Sequence, residues 1–385
     1  MPSPWERVIQ ALYHEESDRV PWGGDSISQP TADAVLKRPA LTGMGGRNRV
    51  LSLLSRGKIE EVRRRLVEDT YDLVQRLRMD LVAIGRLPAK VRPNVKMLSQ
   101  DRWIDGNKLF YSTNGNLLSV ERDPETGSRK KHDMADLESL VDEMESESSE
   151  LEEQAQAAID DLSPLIRRLK EELRVAVLFP CWNCFLTHPD WLATFVKAFH
   201  IRPDLVERFE RAAAREVFAV APVAIDSGCD IIGIGGDLAY RKGPMIPPEM
   251  YRRFILPHMR EESRIVHKRG GFTMIASDGN LMPVADDYFL KTEIDAVREI
   301  EPGPMDRLQV KERFGHLVCL NGNVDCGRVL GLGSSREVVA DTLDCIASWS
   351  PGGGHIISSS NAISPGVKPS NFFAMWKAIF KYGRR

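Results

Sequence analysis

The feature that most constrains this chain is a regular alternation. Eight short apolar or β-branched runs recur between longer helical patterns. They are Arg19–Gly23, Asp80–Gly85, Arg174–Phe179, Asp230–Gly235, Phe272–Ala276, Asp295–Ile300, Leu317–Leu320 and His355–Ser358. Segments such as Pro203–Asp226, Pro248–Arg269 and Ser335–Ser348 carry helical spacing between them. Strand and helix in strict turn predict an α/β fold with parallel strands, and eight repeats predict a (β/α)8 TIM barrel. Such barrels exceed the usual domain size as one unit, so residues 1–385 are expected to form a single domain.

Two stretches interrupt the alternation after the second strand. Residues 102–125 read as hairpins, with an Asn-Gly turn signal. Residues 135–172 are acidic and helical, which fits a solvated helix face. Together they predict an insertion over about residues 100–172. A formal net charge of -3 gives no basic field for nucleic acid. No apolar run approaches a bilayer span, and the opening segment has no apolar core of a signal peptide. Six cysteines in 385 residues make no disulfide framework, so a reduced, cytoplasmic protein is expected.

Barrel enzymes place their chemistry at the C-terminal ends of the strands, which turns the strand list into a residue list. Strand one delivers Gly24, Asp25 and Ser26, strand two Arg86, strand three Cys181, Trp182, Asn183 and Cys184, and strand four Gly236 and Asp237. Strand five delivers Ser277, Asp278 and Asn280, strand six Glu301, strand seven Asn321, Asn323 and Asp325, and strand eight Ser359, Ser360 and Asn361. This set is polar, amide-rich and acidic. Asp278 reads either as an N-cap or turn residue before Gly279, or as a site acid, base or metal ligand. Asp237 carries the same two readings. Cys181 and Cys184, in CWNC, have the spacing of half a metal site, but no second pair accompanies them. His316 precedes its strand and His355 opens one, both at the end remote from the site, so a histidine base has little support.

Four segments carry a family resemblance. WERVIQALYHEESDRVPW resembles the opening of the uroporphyrinogen decarboxylase superfamily, and GCDIIGIGGDLAYRKGPMIPPEMYRRFILPHMREESRIVHKRGG is similar to its strand that ends in aspartate before a helix. LNGNVDCGRVLGLGSSREVVADTL and GGGHIISSSNAISPGVKPSNFFAMW resemble its later segments. The resemblance implies a (β/α)8 barrel and two chemistries. The cofactor-free decarboxylases use an arginine-bearing N-terminal motif and an aspartate after strand two. Here those positions read WGGDSISQPTADAVLKRP and Gly85-Arg86. The other branch moves methyl groups to or from a corrinoid on a partner protein, and several members hold zinc with an H-x-C pair after strand five and a cysteine after strand eight. Ala276, Asp278 and Asn361 stand at those positions, so the family zinc ligands are absent.

The expectation is therefore a corrinoid-dependent methyltransferase of the demethylating type. It takes a methyl group from a small methoxy or methylamino compound and passes it to a corrinoid protein. Asp278 is the first candidate acid and Asp237 the second. Asp25, Arg86, Trp182, Asn183, Asn280, Asn323 and Asn361 are the candidates for substrate binding. A decarboxylase-like lyase and a non-catalytic scaffold are the alternatives, and a homodimer is left open.

Overall fold

The computed structural model describes residues 1–42, 47–88, 94–113, 116–123, 125–182 and 188–384. Seven of the expected strands form one parallel sheet: β1 (Leu81–Ala83), β6 (Ala176–Pro180), β7 (Ile231–Ile234), β10 (Phe272–Ala276), β11 (Ala296–Arg298), β12 (Cys319–Val324) and β13 (His355–Ser359). They are hydrogen-bonded in chain order, and the sheet curls into a barrel-like arrangement. The remaining position is held by less than a strand. Trp22 bridges Ile357 of β13 and Gly23 bridges Leu81 of β1, both in parallel.

The first expected strand, Arg19–Gly23, is thus reduced to two single bridges. Glycine geometry explains why. Gly23 has φ +141° and a Cβ there would lie 2.1 Å from the Leu81 carbonyl oxygen. The chain leaves the sheet direction at this contact, and Gly24 continues the turn at φ +89°. Arg19 bridges antiparallel to Arg384 instead.

Three expected strands began on aspartates that the structure places just before them. Each carboxylate accepts the backbone N–H of a neighbouring segment. Asp80 takes Trp22 at 2.9 Å, Asp230 takes Val177 at 2.8 Å, and Asp295 takes Thr273 at 2.7 Å. These acids pin strand to strand at the end of the sheet remote from the site. Asp80 also receives Arg19 at 2.6 Å and Arg7 at 3.4 Å.

Side chains alternate along each strand. Leu81, Ala176, Leu178, Ile231, Met274, Ala296, Cys319 and Ile356 form one cluster inside the curl. It is completed by Val8, Ala11 and Leu12 of the helix Pro4–Leu12, whose apolar residues fall on one face. Ser3 and Glu6 cap that helix reciprocally. The helix therefore plugs the N-terminal end of the strands and leaves the other end open. Val82, Val177, Phe179, Ile232, Ile234, Ile275, Val297, Leu320 and Ile357 point outward into the larger core shared with the helices.

Between β1 and β6 lies a four-stranded antiparallel sheet, β2 (Lys96–Ser99), β3 (Arg102–Asp105), β4 (Lys108–Thr113) and β5 (Asn116–Glu121), in that order. The expected hairpin region is thus a larger sheet. The Asn114-Gly115 turn signal lies outside the described residues. Helices Met134–Ser146 and Leu151–Arg168 follow, then β6. The short pair β8 (Ala239–Tyr240) and β9 (Gly243–Pro244) follows β7. Among the described residues no helix is long and apolar enough to cross a membrane.

Candidate functional site

At the C-terminal ends of the strands is a cavity of about 670 Å³. Strand ends supply Gly24, Asp25, Gly85, Arg86, Pro180, Trp182, Gly236, Asp237, Ala276, Arg298, Glu299 and Asn361 to its lining. Helices that cover the sheet supply Leu66, Leu73, Val74, Leu162 and Leu165. The floor follows from strand alternation. One residue pair above the inner cluster, Ala83, Gly233, Ala276 and Arg298 face inward. Gly233 leaves space for the Trp182 indole, since a Cβ there would lie 2.4 Å from the ring.

The site is rich in acids that do not favour ionisation. Asp25 is 6% exposed and accepts the Ser359 N–H at 3.1 Å and the Ser359 hydroxyl at 2.9 Å. Burial pushes its carboxyl up to about 7, against the pull of Ser359 and of the Arg298 charge. Asp278, half-buried and in contact with the lining residue Asn361, is pushed up to about 6 by burial, then by the charges of Asp237, Glu301 and Glu299. The Asn361 amide, 3.1 Å from Asp278, opposes that shift. Asp237 reaches solvent at the rim; desolvation and then Glu299 raise it, while the Asp278 backbone N–H lowers it.

Asp278 is not a helix cap. Its neighbour Asn280 does that local work, accepting the Met282 N–H at 3.1 Å while its own N–H bonds to the Tyr240 carbonyl. Gly279, at φ +79°, makes the turn. The two readings of the motif therefore divide between two residues. Asn280 shapes the loop, and the carboxylate of Asp278 is left facing Asn361.

Of the residues expected to bind substrate, Asp25, Arg86, Trp182 and Asn361 line the cavity, as does Asp237. Arg86 also pairs with Glu216 at 2.5 Å. Asn280, Asn323 and the first catalytic candidate, Asp278, are absent from the lining; Asp278 reaches it only through its partner Asn361. Asn323 is fully buried, with its oxygen on Arg307 at 2.8 Å and its amide on the Ile300 carbonyl at 3.2 Å. The reason is that β12 runs to Val324, past the expected end of strand seven, so its amide is consumed by the framework. Cys181 is a core residue whose thiol is pushed up by burial, contrary to a ligand role. Asn183 and Cys184 lie outside the described residues. Sequence reasoning missed Arg298 and Glu299. Glu299 sits at φ +65° and breaks the strand two residues before its expected end.

The three positions aligned with a zinc site do converge, because Asp278 meets Asn361 beside Ala276. They do not fit that metal. Ala276 has no donor atom, Asn361 turns its N–H₂ toward Asp278, and its oxygen accepts the Ala362 N–H at 2.6 Å. Among the described residues no group of three His, Cys, Asp or Glu side chains is arranged to hold a metal.

The family model described as uroporphyrinogen decarboxylase (URO-D) matches residues 188–382. A uroporphyrinogen decarboxylase of Coxiella burnetii is 22% identical over 206 residues, covering 51% of this chain and 54% of that protein. One from Xylella fastidiosa is 27% identical over 154 residues, covering 37% and 41%. The chain thus spans about half the length of the curated relatives it matches. Among solved structures, a methyltransferase from Methanosarcina mazei superposes with a TM-score of 0.66 at 14% identity, over 99% of both chains, so the two share a fold. With half of its length matched by the family model, the chain belongs to the uroporphyrinogen decarboxylase family.

Proposed function

We propose that this protein is a methyltransferase of the demethylating type, which moves a methyl group from a small methoxy or methylamino compound to a corrinoid borne by a separate protein. The observation that carries the reading is Asp278, a carboxyl that caps no helix, held by the cavity-lining Asn361 and raised toward its acid form by burial and by Asp237. Similarity in fold to the Methanosarcina mazei methyltransferase is compatible with it. The lining argues against a polycarboxylate such as a porphyrinogen. Asp25, Asp237 and Glu299 line the same space, and of its three arginines Arg86 is already paired with Glu216 and Arg298 with Glu299, which leaves Arg47.

The corrinoid supplies the nucleophile that accepts the methyl group. The rest falls to this chain. Apolar walls hold the substrate and exclude water. When the methyl carbon departs, the bonding pair stays on the oxygen or nitrogen it leaves. Asp278, in its acid form, gives its proton to that atom. Asp237 keeps Asp278 protonated by repelling its charge. Asn361 holds the carboxyl in place. No step passes through zinc.

The test is methyl transfer from methoxy and methylamino compounds to a corrinoid acceptor, followed by the change in corrinoid absorption. Asp278→Asn keeps the shape and removes the proton, and should lower turnover by about 10²–10⁴-fold with little change in substrate binding. Wild-type turnover in that variant on a poor leaving group rules out the acid role. Carbon dioxide release without any corrinoid would replace the whole reading with a lyase.

A further inference from the structure

The loops that carry Asp237 and Asp278 stay joined after their strands have ended. Ile234 and Ile275 are the last ladder pair of β7 and β10. Gly235, at φ +76°, then turns its chain out of the sheet. A side chain takes over from the ladder. The Leu238 N–H donates to the Ser277 hydroxyl at 3.0 Å, and that hydroxyl donates to the Asp278 carbonyl at 3.2 Å. On one side of this clasp the Tyr288 hydroxyl lies 3.4 Å from both the Gly236 and the Ala276 carbonyl oxygens. On the other, the Asn280 N–H donates to the Tyr240 carbonyl at 2.9 Å. There the loops come so close that a Cβ on Gly279 would lie 2.7 Å from the Ala239 and Tyr240 carbonyl oxygens. Asp237 precedes Leu238 and Asp278 follows Ser277, so each acid is next to the clasp on its own loop.

We propose that Ser277 is a positioning residue: its hydroxyl locks the loop of Asp237 to the loop of Asp278 and thereby fixes the separation of the two carboxyls. Ser277 is fully buried and absent from the cavity lining, and the one proton of its hydroxyl is already given to the Asp278 carbonyl. It therefore acts on the site through the two acids and not on a ligand. The Asp278 backbone N–H also donates to the Asp237 carboxylate across the same seam, so slack in the clasp is felt by both. This inference deepens the methyl-transfer reading and rests on it only for what the pair of acids is used for.

The consequence is electrostatic. The groups that act on Asp278 are Asp237 after β7, Glu299 and Glu301 after β11, and the Asn361 amide after β13. Glu299 and Glu301 are paired with Arg298 and Arg241, each at 3.1 Å, and Ser277 takes part in neither pair. Asp237 is thus the charge whose distance Ser277 controls, and repulsion between like charges falls with distance. Without the hydroxyl, the N–H of the buried Leu238 loses its acceptor, and its loop shifts to find another. Asp237 then retreats from Asp278.

Carbon-13 NMR of the full chain, labelled at the aspartate side-chain carboxyls, reads Asp278 without any substrate; its signal is the one lost in Asp278→Asn. In the wild type it should titrate at about 6. Ser277→Ala should move that midpoint down by about half a pH unit or more. In an Asp237→Asn background the same substitution should leave it in place, because the charge that Ser277 positions is gone. If Ser277→Ala does not fold, Ser277→Cys, close in size but with a weak thiol acceptor, carries the same comparison. A serine that serves stability alone would lower the urea midpoint and leave the Asp278 titration unmoved, and that result overturns the proposal. An equal shift in the Asp237→Asn background also overturns it, since the effect would then come from altered burial. Methyl transfer is read separately. Its absence alongside a shifted titration sinks the functional reading and leaves the clasp standing, and transfer with an unmoved titration does the opposite.

Discussion

Asp25 should make the fold sensitive to pH in a direction opposite to most carboxylates. Its carboxyl is pushed from an ordinary 3.8 up to about 7 in the folded protein. Folding thus favours the protonated form. That advantage is complete below the ordinary value and is lost as pH rises through the folded one. At about 1.4 kcal/mol per unit, the shift amounts to a ceiling of about 4 kcal/mol, most of it reached near neutrality. Between about pH 5 and about pH 8 the loss is about 2–3 kcal/mol. Asp25→Asn removes the ionisation and keeps an oxygen for the Ser359 N–H and hydroxyl. Urea unfolding of both proteins at the two pH values isolates the effect, because all other titrations cancel in the difference. The variant should gain on the wild type by about 2–3 kcal/mol as pH rises over that range. Parallel pH dependence in the two proteins would refute the buried, proton-favouring environment of Asp25.

Asp237→Asn removes the largest charge that raises Asp278, so the fall of methyl transfer at high pH should move to lower pH; a pH–rate profile that stays in place contradicts the coupling. Gly233→Ala puts a methyl where the Trp182 ring now lies, 2.4 Å from the ideal Cβ. Trp182 is already partly exposed and can swing away, so stability should change by about 1 kcal/mol or less, while acrylamide quenching of the tryptophan emission rises. Gly23→Ala has no such escape, since its Cβ would meet the Leu81 carbonyl at 2.1 Å with φ at +141°; it should lose more than about 3 kcal/mol in urea unfolding, and near-native stability would show that the closing bridge is pliable.

The parallel strands were legible because each buried run, such as Ile231–Ile234 or Phe272–Ala276, carries the composition that a sheet covered on both faces demands. Their boundaries were not, because Asp80, Asp230 and Asp295 look like strand residues until their carboxylates are seen holding a neighbour's N–H. The strand-end rule found Asp25, Trp182, Asp237 and Asn361 in the cavity. It failed for Asn280 and Asn323, because an amide at a strand end serves framework and ligand equally well, and only its partners tell which; Asp278 meets the lining only through Asn361. Arg298 carried a usable signal: in Ala296–Val297–Arg298 the arginine repeats the inward parity of Ala296. The helical part of the wall, including Leu73 and Leu162, carried none, since ordinary helix faces bury leucine for packing alone.

The two single bridges at Trp22 and Gly23 bear on how the protein comes into being on the ribosome. Trp22 is translated early, and its partner Ile357 emerges only after every other strand of the parallel sheet has been made. Until then Asp25 has no Ser359 to hold it. The ring and the acid that lines its cavity are therefore completed together, by the most distant pairing in the sheet, which is also the kind of contact that forms slowly. A nascent chain stalled before His355 would carry the plug helix and six of the parallel strands, and its site would still be open on one side.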